Sequence, residues 1–131
     1  MNRRSVFFSS VWTGISLLAL AGLLFGQGQD RGVITGIATD KTGSAIPQAT
    51  VTVTNESTPD RIVIQTSSAG NYTTTPLIPG KYRVEVEKNG FKIFVAEGVV
   101  VTTGTVRLDA MLEVGNVTEK VEVQASTSAV E

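Results

Sequence analysis

Apolar and polar residues alternate with a period of two along most of the chain after residue 32, and short polar turns interrupt the alternation. The clearest example covers residues 80–88, where Tyr82, Val84 and Val86 alternate with charged residues directly after a Pro-Gly turn. Successive side chains of a strand point to opposite faces of its sheet. This pattern therefore predicts a strand with one buried face and one solvated face.

The same alternation recurs in short segments, and no segment after residue 28 has the roughly 3.6-residue period of a helix. About seven or eight short strands with evenly spaced turns indicate an all-β fold, either a sandwich or a barrel. The final residues, 125–131, are expected to be unstructured. The expected strands cover residues 33–39, 49–55, 61–66, 72–75, 80–88, 91–101, 106–112 and 117–123.

The first 28 residues have the pattern of a secretory signal peptide. Arg3 and Arg4 form a short basic region, an apolar run comes next over residues 11–25, and small residues end it. We expect cleavage near Gly26 or Gly28. The alternatives are a retained membrane anchor, for which the run is short, and twin-arginine export, for which the basic region is short. The mature protein is then exported.

Composition narrows the chemistry that the remaining single small domain could perform. The chain has no cysteine and no histidine, which excludes a disulfide framework and removes the commonest metal ligand and general base. Its formal net charge is −1, and no basic cluster suggests nucleic acid as a partner. We therefore predict no enzymatic activity and no catalytic, cofactor-binding or metal-binding residues.

Ordered short motifs make the chain similar to a known family. The run Asp40-x-x-Gly43-x-x-Ile46-Pro47-x-Ala49 resembles the opening of a carboxypeptidase regulatory-like domain. The resemblance implies a seven-stranded, transthyretin-like Greek-key β-sandwich over residues 29–114, without catalysis. Ser67 departs from the pattern, since the family often has Asp there. The later matching motifs are Gly70-x-Tyr72, Leu77-x-Pro79-Gly80-x-Tyr82-x-Val84-x-Val86 and Gly90-Phe91.

The resemblance also implies a cellular setting. Such domains often lie at the N-terminus of TonB-dependent outer-membrane receptors, before a plug and a barrel. Residues 115–131, a C-terminal strand or linker, are similar to the junction between such a domain and a plug. The implied location is the periplasm or outer membrane. The implied partners are TonB or the receptor's plug and barrel, with membrane contact only through an attached receptor.

The C-terminal segment is the first of two candidate contact sites. The part containing Thr118, Val121, Val123 and Ala125 resembles the short box through which such receptors contact TonB. The physical basis would be strand addition, in which an extended segment pairs with an exposed sheet edge. The alternative is that this segment is simply the last strand or a linker.

The second candidate is Phe94, as a ligand contact. In an alternating strand, Phe94 points to the face opposite to that of Phe91, Ile93 and Val95, so we expect its ring to be partly exposed. Further along this segment, Gly98 is expected to mark a bend or bulge. Exposed aromatic rings are the usual platform for sugars, which makes polysaccharide a second possible partner. We favour the alternative that Phe94 belongs to the core, because one exposed ring is a small platform for a sugar.

Three functions remain open from the sequence. The first is a periplasmic receptor module, or a fragment of one, that acts through protein contacts. The second is a stand-alone carbohydrate-binding or adhesive module. The third is an accessory domain of a secreted peptidase. They differ in the domain that the downstream reading frame encodes and in the ligand that the module binds.

Overall fold

The computed structural model describes residues 30–116, 118–125 and 128–130. The predicted signal peptide over residues 1–28 lies outside these described residues. All regular structure in the described ranges is β-strand. No helix in these ranges is long and apolar enough to cross a membrane.

The described residues form ten strands. In chain order they are β1 Gly32–Asp40, β2 Thr50–Asn55, β3 Arg61–Gln65, β4 Asn71–Thr73, β5 Gly80–Glu87, β6 Ile93–Val101, β7 Gly104–Arg107, β8 Ala110–Leu112, β9 Lys120–Gln124 and β10 Ser128–Val130.

The strands form two sheets that enclose one core. In sheet 1 the order is β10-β7-β1-β4, and β8 also pairs with β1; in sheet 2 the order is β3-β2-β5-β6-β9. The strands β7 and β8 both run parallel to β1, so they act as one interrupted strand. Counted this way, β1 to β8 are seven strands, and the predicted seven-stranded β-sandwich is confirmed.

Two sequence-based expectations about strands need correction. The expected single strand over residues 106–112 is broken at Leu108 and Asp109. These two residues still form hydrogen bonds with β1, because Leu108 N–H donates to the Thr35 carbonyl and Asp109 Oδ1 accepts from Ile37 N–H. Gly36 permits this approach, because a Cβ there would lie 1.8 Å from the Leu108 carbonyl oxygen.

The second correction concerns the C-terminal residues. The expectation of an unstructured segment over residues 125–131 is wrong for Ser128–Val130, which forms β10 and pairs antiparallel with β7. Residues 126, 127 and 131 lie outside the described residues. The tail after residue 114 therefore contributes to both sheets: β9 pairs with β6 in sheet 2, and β10 pairs with β7 in sheet 1. Sequence reasoning failed here because the segment has neither a long apolar run nor a turn signal.

The core lies between the inner faces of the two sheets. On sheet 2 the strand register aligns one continuous row of inward side chains across all five strands, and alternation along β2, β5 and β6 repeats it. On sheet 1, Tyr72 is buried and its hydroxyl donates to the Leu108 carbonyl. Burial raises the pKa of Tyr72, and the nearby Asp109 carboxylate adds to this effect. The sheet 2 row is Ile64, Val51, Val86, Phe94 and Val121.

A bulge in β6 decides which of its side chains face the core. Tyr82 pairs with Val99 but Val84 pairs with Ala96, so β6 carries one extra residue between these pairs. Gly98 lies at this point with a φ of 68°, as expected for the predicted bend or bulge. The extra residue switches the inward parity from odd positions after the bulge to even positions before it.

This switch overturns the expectation that Phe94 is partly exposed. Phe94 is only 7% exposed and belongs to the core cluster, directly opposite Val86. The prediction was wrong because it extended one parity through residues 91–95 and set Val95 inward. Val95 instead lies on the outer face, between Glu85 and Glu122, and is buried there by its surroundings.

Candidate interaction site

The predicted partner segment is already paired with this domain's own sheet. Residues 120–124 form β9, which runs parallel to β6 at the end of sheet 2. Val121 lies opposite Phe94, and Val123 lies opposite Ala96. The segment therefore has the extended form that strand addition needs, and the edge that it covers belongs to β6.

The four predicted contact residues have different environments. Thr118 is exposed and precedes β9. Val121 and Ala125 are half-buried, and Ala125 packs against the core cluster. Val123 is 36% exposed. The structure thus brings Val121, Val123 and Ala125 to the inner face at the sheet edge and leaves Thr118 outside this group.

The hydrogen bonds give the orientation of the β9 backbone. Ile93 N–H donates to the Glu119 carbonyl at 2.8 Å, and Ala125 N–H donates to the Glu97 carbonyl at 3.4 Å. In a parallel pair the residues that face the neighbouring strand alternate. Odd-numbered tail residues therefore point their amide groups to β6, and Lys120, Glu122 and Gln124 point theirs away from the sheet.

An ion-pair cluster holds the segment that leads into β9. Lys92 Nζ lies 3.8 Å from Glu113 and 3.4 Å from Glu119, and Lys41 Nζ lies 3.4 Å from Glu113. Backbone bonds from Lys92 N–H to the Glu113 carbonyl and from Gly115 N–H to the Gly90 carbonyl reinforce it. Sequence reasoning missed this cluster, because its members lie in three separate loops without a local motif.

A cavity of about 360 Å³ lies beside this cluster. Asp40 lines this cavity, and its Oδ1 accepts hydrogen bonds from Thr42 N–H, the Thr42 hydroxyl and Ser44 N–H. The hydroxyl bond from Thr42 lowers the pKa of Asp40. The hydrogen bonds that Asp40 accepts stabilise the turn, so its carboxylate has a structural role. The lining residues are Asp40, Lys41, Thr42, Lys92, Leu112, Glu113 and Val114.

The aromatic rings offer little surface for a sugar. Tyr72, Tyr82 and Phe94 are buried, and Phe91 is half-buried against the core cluster. These four are the aromatic residues of the described ranges. Stacking a sugar needs an exposed ring face, and no fully exposed ring is present among the residues that the structure describes.

Acidic side chains do not gather into a metal site in the described part of the chain, where no group of three or more potential ligands lies together. Two acids on sheet 2, Glu85 and Glu97, instead form ion pairs with Arg83. Arg83 bonds Glu85 at 2.9 Å and approaches Glu97 at 3.6 Å. The Arg83 Nε is buried without a hydrogen-bond partner.

The opposite end of sheet 2 presents an uncovered strand, to which sequence reasoning attached no role. Asn55 N–H donates to the Asp60 carbonyl, and Thr66 N–H donates to the Ala49 carbonyl. By alternation in the antiparallel β2–β3 pair, Ile62 and Ile64 face β2 with their amide groups. The amide groups that point away from the sheet are therefore those of Arg61, Val63 and Gln65.

Comparison with known proteins identifies the domain type. The sequence model of a family described as carboxypeptidase regulatory-like domain matches residues 33–113, more than half of the chain. No curated protein matches the sequence significantly.

Solved structures show the same fold. A suspected carbohydrate-binding protein from Bacteroides uniformis has a TM-score of 0.54 at 22% identity, over 65% of this chain and 42% of that one. The TIE protein of Bacillus anthracis has a TM-score of 0.54 at 20% identity, over 65% of this chain and 17% of that one. This chain thus spans less than half of either protein.

The Klebsiella pneumoniae 5-hydroxyisourate hydrolase matches over 76% of this chain and 99% of its own length, with a TM-score of 0.54 and 16% identity. At these identities the likeness concerns the fold alone. It supports the transthyretin-like sandwich that the sequence motifs implied.

Proposed function

Because this chain belongs to the carboxypeptidase regulatory-like family, we propose that it is a non-catalytic, exported module that acts through protein contacts. Its setting is the periplasm, as the N-terminal domain of a TonB-dependent outer-membrane receptor or as a fragment of one. The chemistry of the described residues is consistent with this role, since Asp40 stabilises a turn and Glu85 forms an ion pair.

The tail is the observation that carries this proposal. The tail follows the family match, which ends at residue 113, and it forms strand β9 at the edge of sheet 2. A receptor module must connect to the plug domain, and a segment that already adopts extended structure can pair with another protein's sheet. Val121 and Val123 supply the apolar side chains that such pairing buries on one face.

A TonB strand that pairs with the edge of the tail now facing β6 requires the tail to leave its place on β6. The parallel β9–β6 ladder is a weaker arrangement than an antiparallel one of the same length. Among the five strand residues, Val121 is half-buried and the other four are exposed. Little apolar burial is therefore lost when β9 exchanges β6 for a strand of TonB.

The first experiment measures the size and location of the native product. An antibody to residues 32–112 is used on blots of fractionated cells. A large product in the outer membrane is expected, because the module is then joined to a plug and barrel. A product of the domain's own size in the periplasm or medium would contradict the receptor setting.

A second experiment tests the contact itself. A peptide of residues 117–125 is titrated into the TonB C-terminal domain, and binding heat is expected. The matched control is the same peptide with Val121→Asp and Val123→Asp, which removes the apolar face and keeps the length. Equal heat from both peptides, or none from either, would count against strand addition by this segment.

A carbohydrate-binding or adhesive module and a peptidase accessory domain are the competing functions. The burial of Phe94 removes the ring that suggested sugar stacking. Retention of the purified chain on insoluble polysaccharide, compared with retention in the presence of soluble sugar, separates the carbohydrate function. A zinc-peptidase domain in the adjoining reading frame would favour the accessory function.

A further inference from the structure

The uncovered strand β3 has a backbone arrangement that is complementary to itself. The amide groups of Arg61, Val63 and Gln65 point away from β2, and in the described ranges β3 is the end strand of sheet 2. A two-fold axis through Val63 would place Val63 opposite its own copy. The same axis places Arg61 opposite Gln65, so every outward amide group meets another one.

We propose that two copies of this chain pair through antiparallel β3 strands across a two-fold axis at Val63. The two five-stranded sheets then become one continuous sheet. A two-fold interface of this kind is closed, because each copy uses the same edge and leaves none of it free. This contact is independent of the tail and of any receptor setting.

The side chains of β3 match such a pairing on both faces. On the outer face, Val63 is 53% exposed and would pack against its copy. On the inner face, Ile62 would lie opposite Ile64 of the partner copy, which extends the apolar rows of the core. Arg61 would lie opposite the neutral Gln65, so no like charges are opposed. The β3 strand of a second copy therefore pairs the outward amide groups, opposes no like charges and buries apolar side chains on both faces.

Few features of β3 oppose this pairing. Natural edge strands are often protected from association by proline, inward charges or bulges. The five residues of β3 contain no proline and one charge, Arg61, and that charge lies at the strand end. Since only five residues pair, we expect a weak, concentration-dependent dimer.

Sedimentation velocity over a wide concentration range tests the proposal on the purified chain. We expect a monomer–dimer equilibrium for the unchanged chain. The substitution Val63→Glu opposes two carboxylates at the axis, and should raise the dimer Kd by at least about tenfold. Because Val63 is exposed, the variant should keep its circular dichroism spectrum. The matched control, Glu122→Gln at the other end of sheet 2, should leave the Kd unchanged.

A cysteine substitution gives a second, independent readout. The chain has no native cysteine. Residues opposed in a hydrogen-bonded antiparallel pair have Cα atoms about 5.5 Å apart, which suits a disulfide. Val63→Cys should therefore form a covalent dimer on mild oxidation, whereas Glu122→Cys should remain largely monomeric.

Three results would overturn the proposal. The first is a chain that stays monomeric at the highest concentration reached. The second is equal weakening of the dimer by Val63→Glu and Glu122→Gln. The third is open-ended polymers, which would show that β3 pairs with β9 of another copy instead of with β3.

Discussion

The two end strands of sheet 2 have nearly the same residue pattern but different central residues. Strand β3 reads Arg-Ile-Val-Ile-Gln, and β9 reads Lys-Val-Glu-Val-Gln. Both begin with a cation, end with glutamine and direct aliphatic side chains to the inner face. Both also point the amide groups of their first, third and fifth residues away from the sheet. The difference is Val63 in β3 against Glu122 in β9.

This one difference changes which partner each edge can accept. A two-fold axis at Glu122 would oppose two carboxylates directly, and like charges at opposed positions destabilise a pair. The corresponding axis at Val63 opposes two aliphatic side chains. Charge at the centre of an edge strand is a known protection against association. The β9 edge is therefore protected against pairing with its own copy, whereas the β3 edge is open to it.

The two ends also differ in how they are attached. Strand β3 is joined to β2 through residues 56–60, where Asn55 Oδ1 accepts bonds from Ser57 and Thr58 N–H groups. Strand β9 is reached through the ion-pair cluster of Lys41, Lys92, Glu113 and Glu119. A hairpin neighbour is hard to detach, whereas β9 has a longer connection and exposed side chains. This favours β9 as the strand that exchanges partners.

The largest expected loss of stability comes from substituting Phe94, the core residue of β6 that lies opposite Val121 of β9. Phe94→Ala removes a buried ring beside Val121 and should lower the free energy of unfolding by about 3–5 kcal/mol. Urea unfolding followed by circular dichroism measures this change. The control is Val100→Ala on the same strand, where the side chain is 47% exposed; its effect should stay within about 0.5 kcal/mol. Similar losses in both variants would contradict the inward position of Phe94.

A smaller effect separates the two ends of one inner row. Ile64 and Val121 lie in the same row, on β3 and β9. Ile64→Ala should cost about 2 kcal/mol, because the side chain packs against the core cluster. Val121→Ala should cost about 1 kcal/mol or less, since it removes less volume from a strand with one neighbour. Both values follow from the urea midpoints of unfolding if the variants share the same dependence of unfolding free energy on urea concentration. A larger loss for Val121→Ala would contradict the prediction that β3 contributes more to stability than β9.

Much of this fold could be predicted from local patterns. The alternation of Tyr82, Val84 and Val86 predicted the inward face of β5, and all three are buried. The turn motifs and Gly98 indicated the strand boundaries and the bulge. Local pattern could not reveal the consequence of the bulge, because a single inserted residue reverses the parity on one side of it. Phe94 was misassigned for that reason.

The tail shows a second limit of sequence reasoning. Its alternating residues 117–123 predicted a strand, but a strand's neighbour depends on which edge is open in the folded sheet. Its pairing with β6, and that of Ser128–Val130 with β7, depend on tertiary structure alone. The ion-pair cluster was equally hidden, since Lys41, Lys92 and Glu113 lie far apart in sequence.

The smallest expected effect tests whether that cluster holds the β9 end. Lys92→Gln removes the pairs to Glu113 and Glu119, and exposed ion pairs contribute about 0–1 kcal/mol. Global stability should therefore change little, while β9 detaches more often. The Ile93 amide, which donates to Glu119, should exchange with solvent faster. The Phe94 amide faces β5 by alternation along β6 and serves as the internal control. The difference in Ile93 exchange rate between Lys92→Gln and the unchanged chain should vanish at high salt, because salt screening weakens the same ion pairs in the unchanged chain. Faster exchange at both amides would instead indicate that sheet 2 opens as a whole, and the β9 end would then be no more detachable than the β3 end.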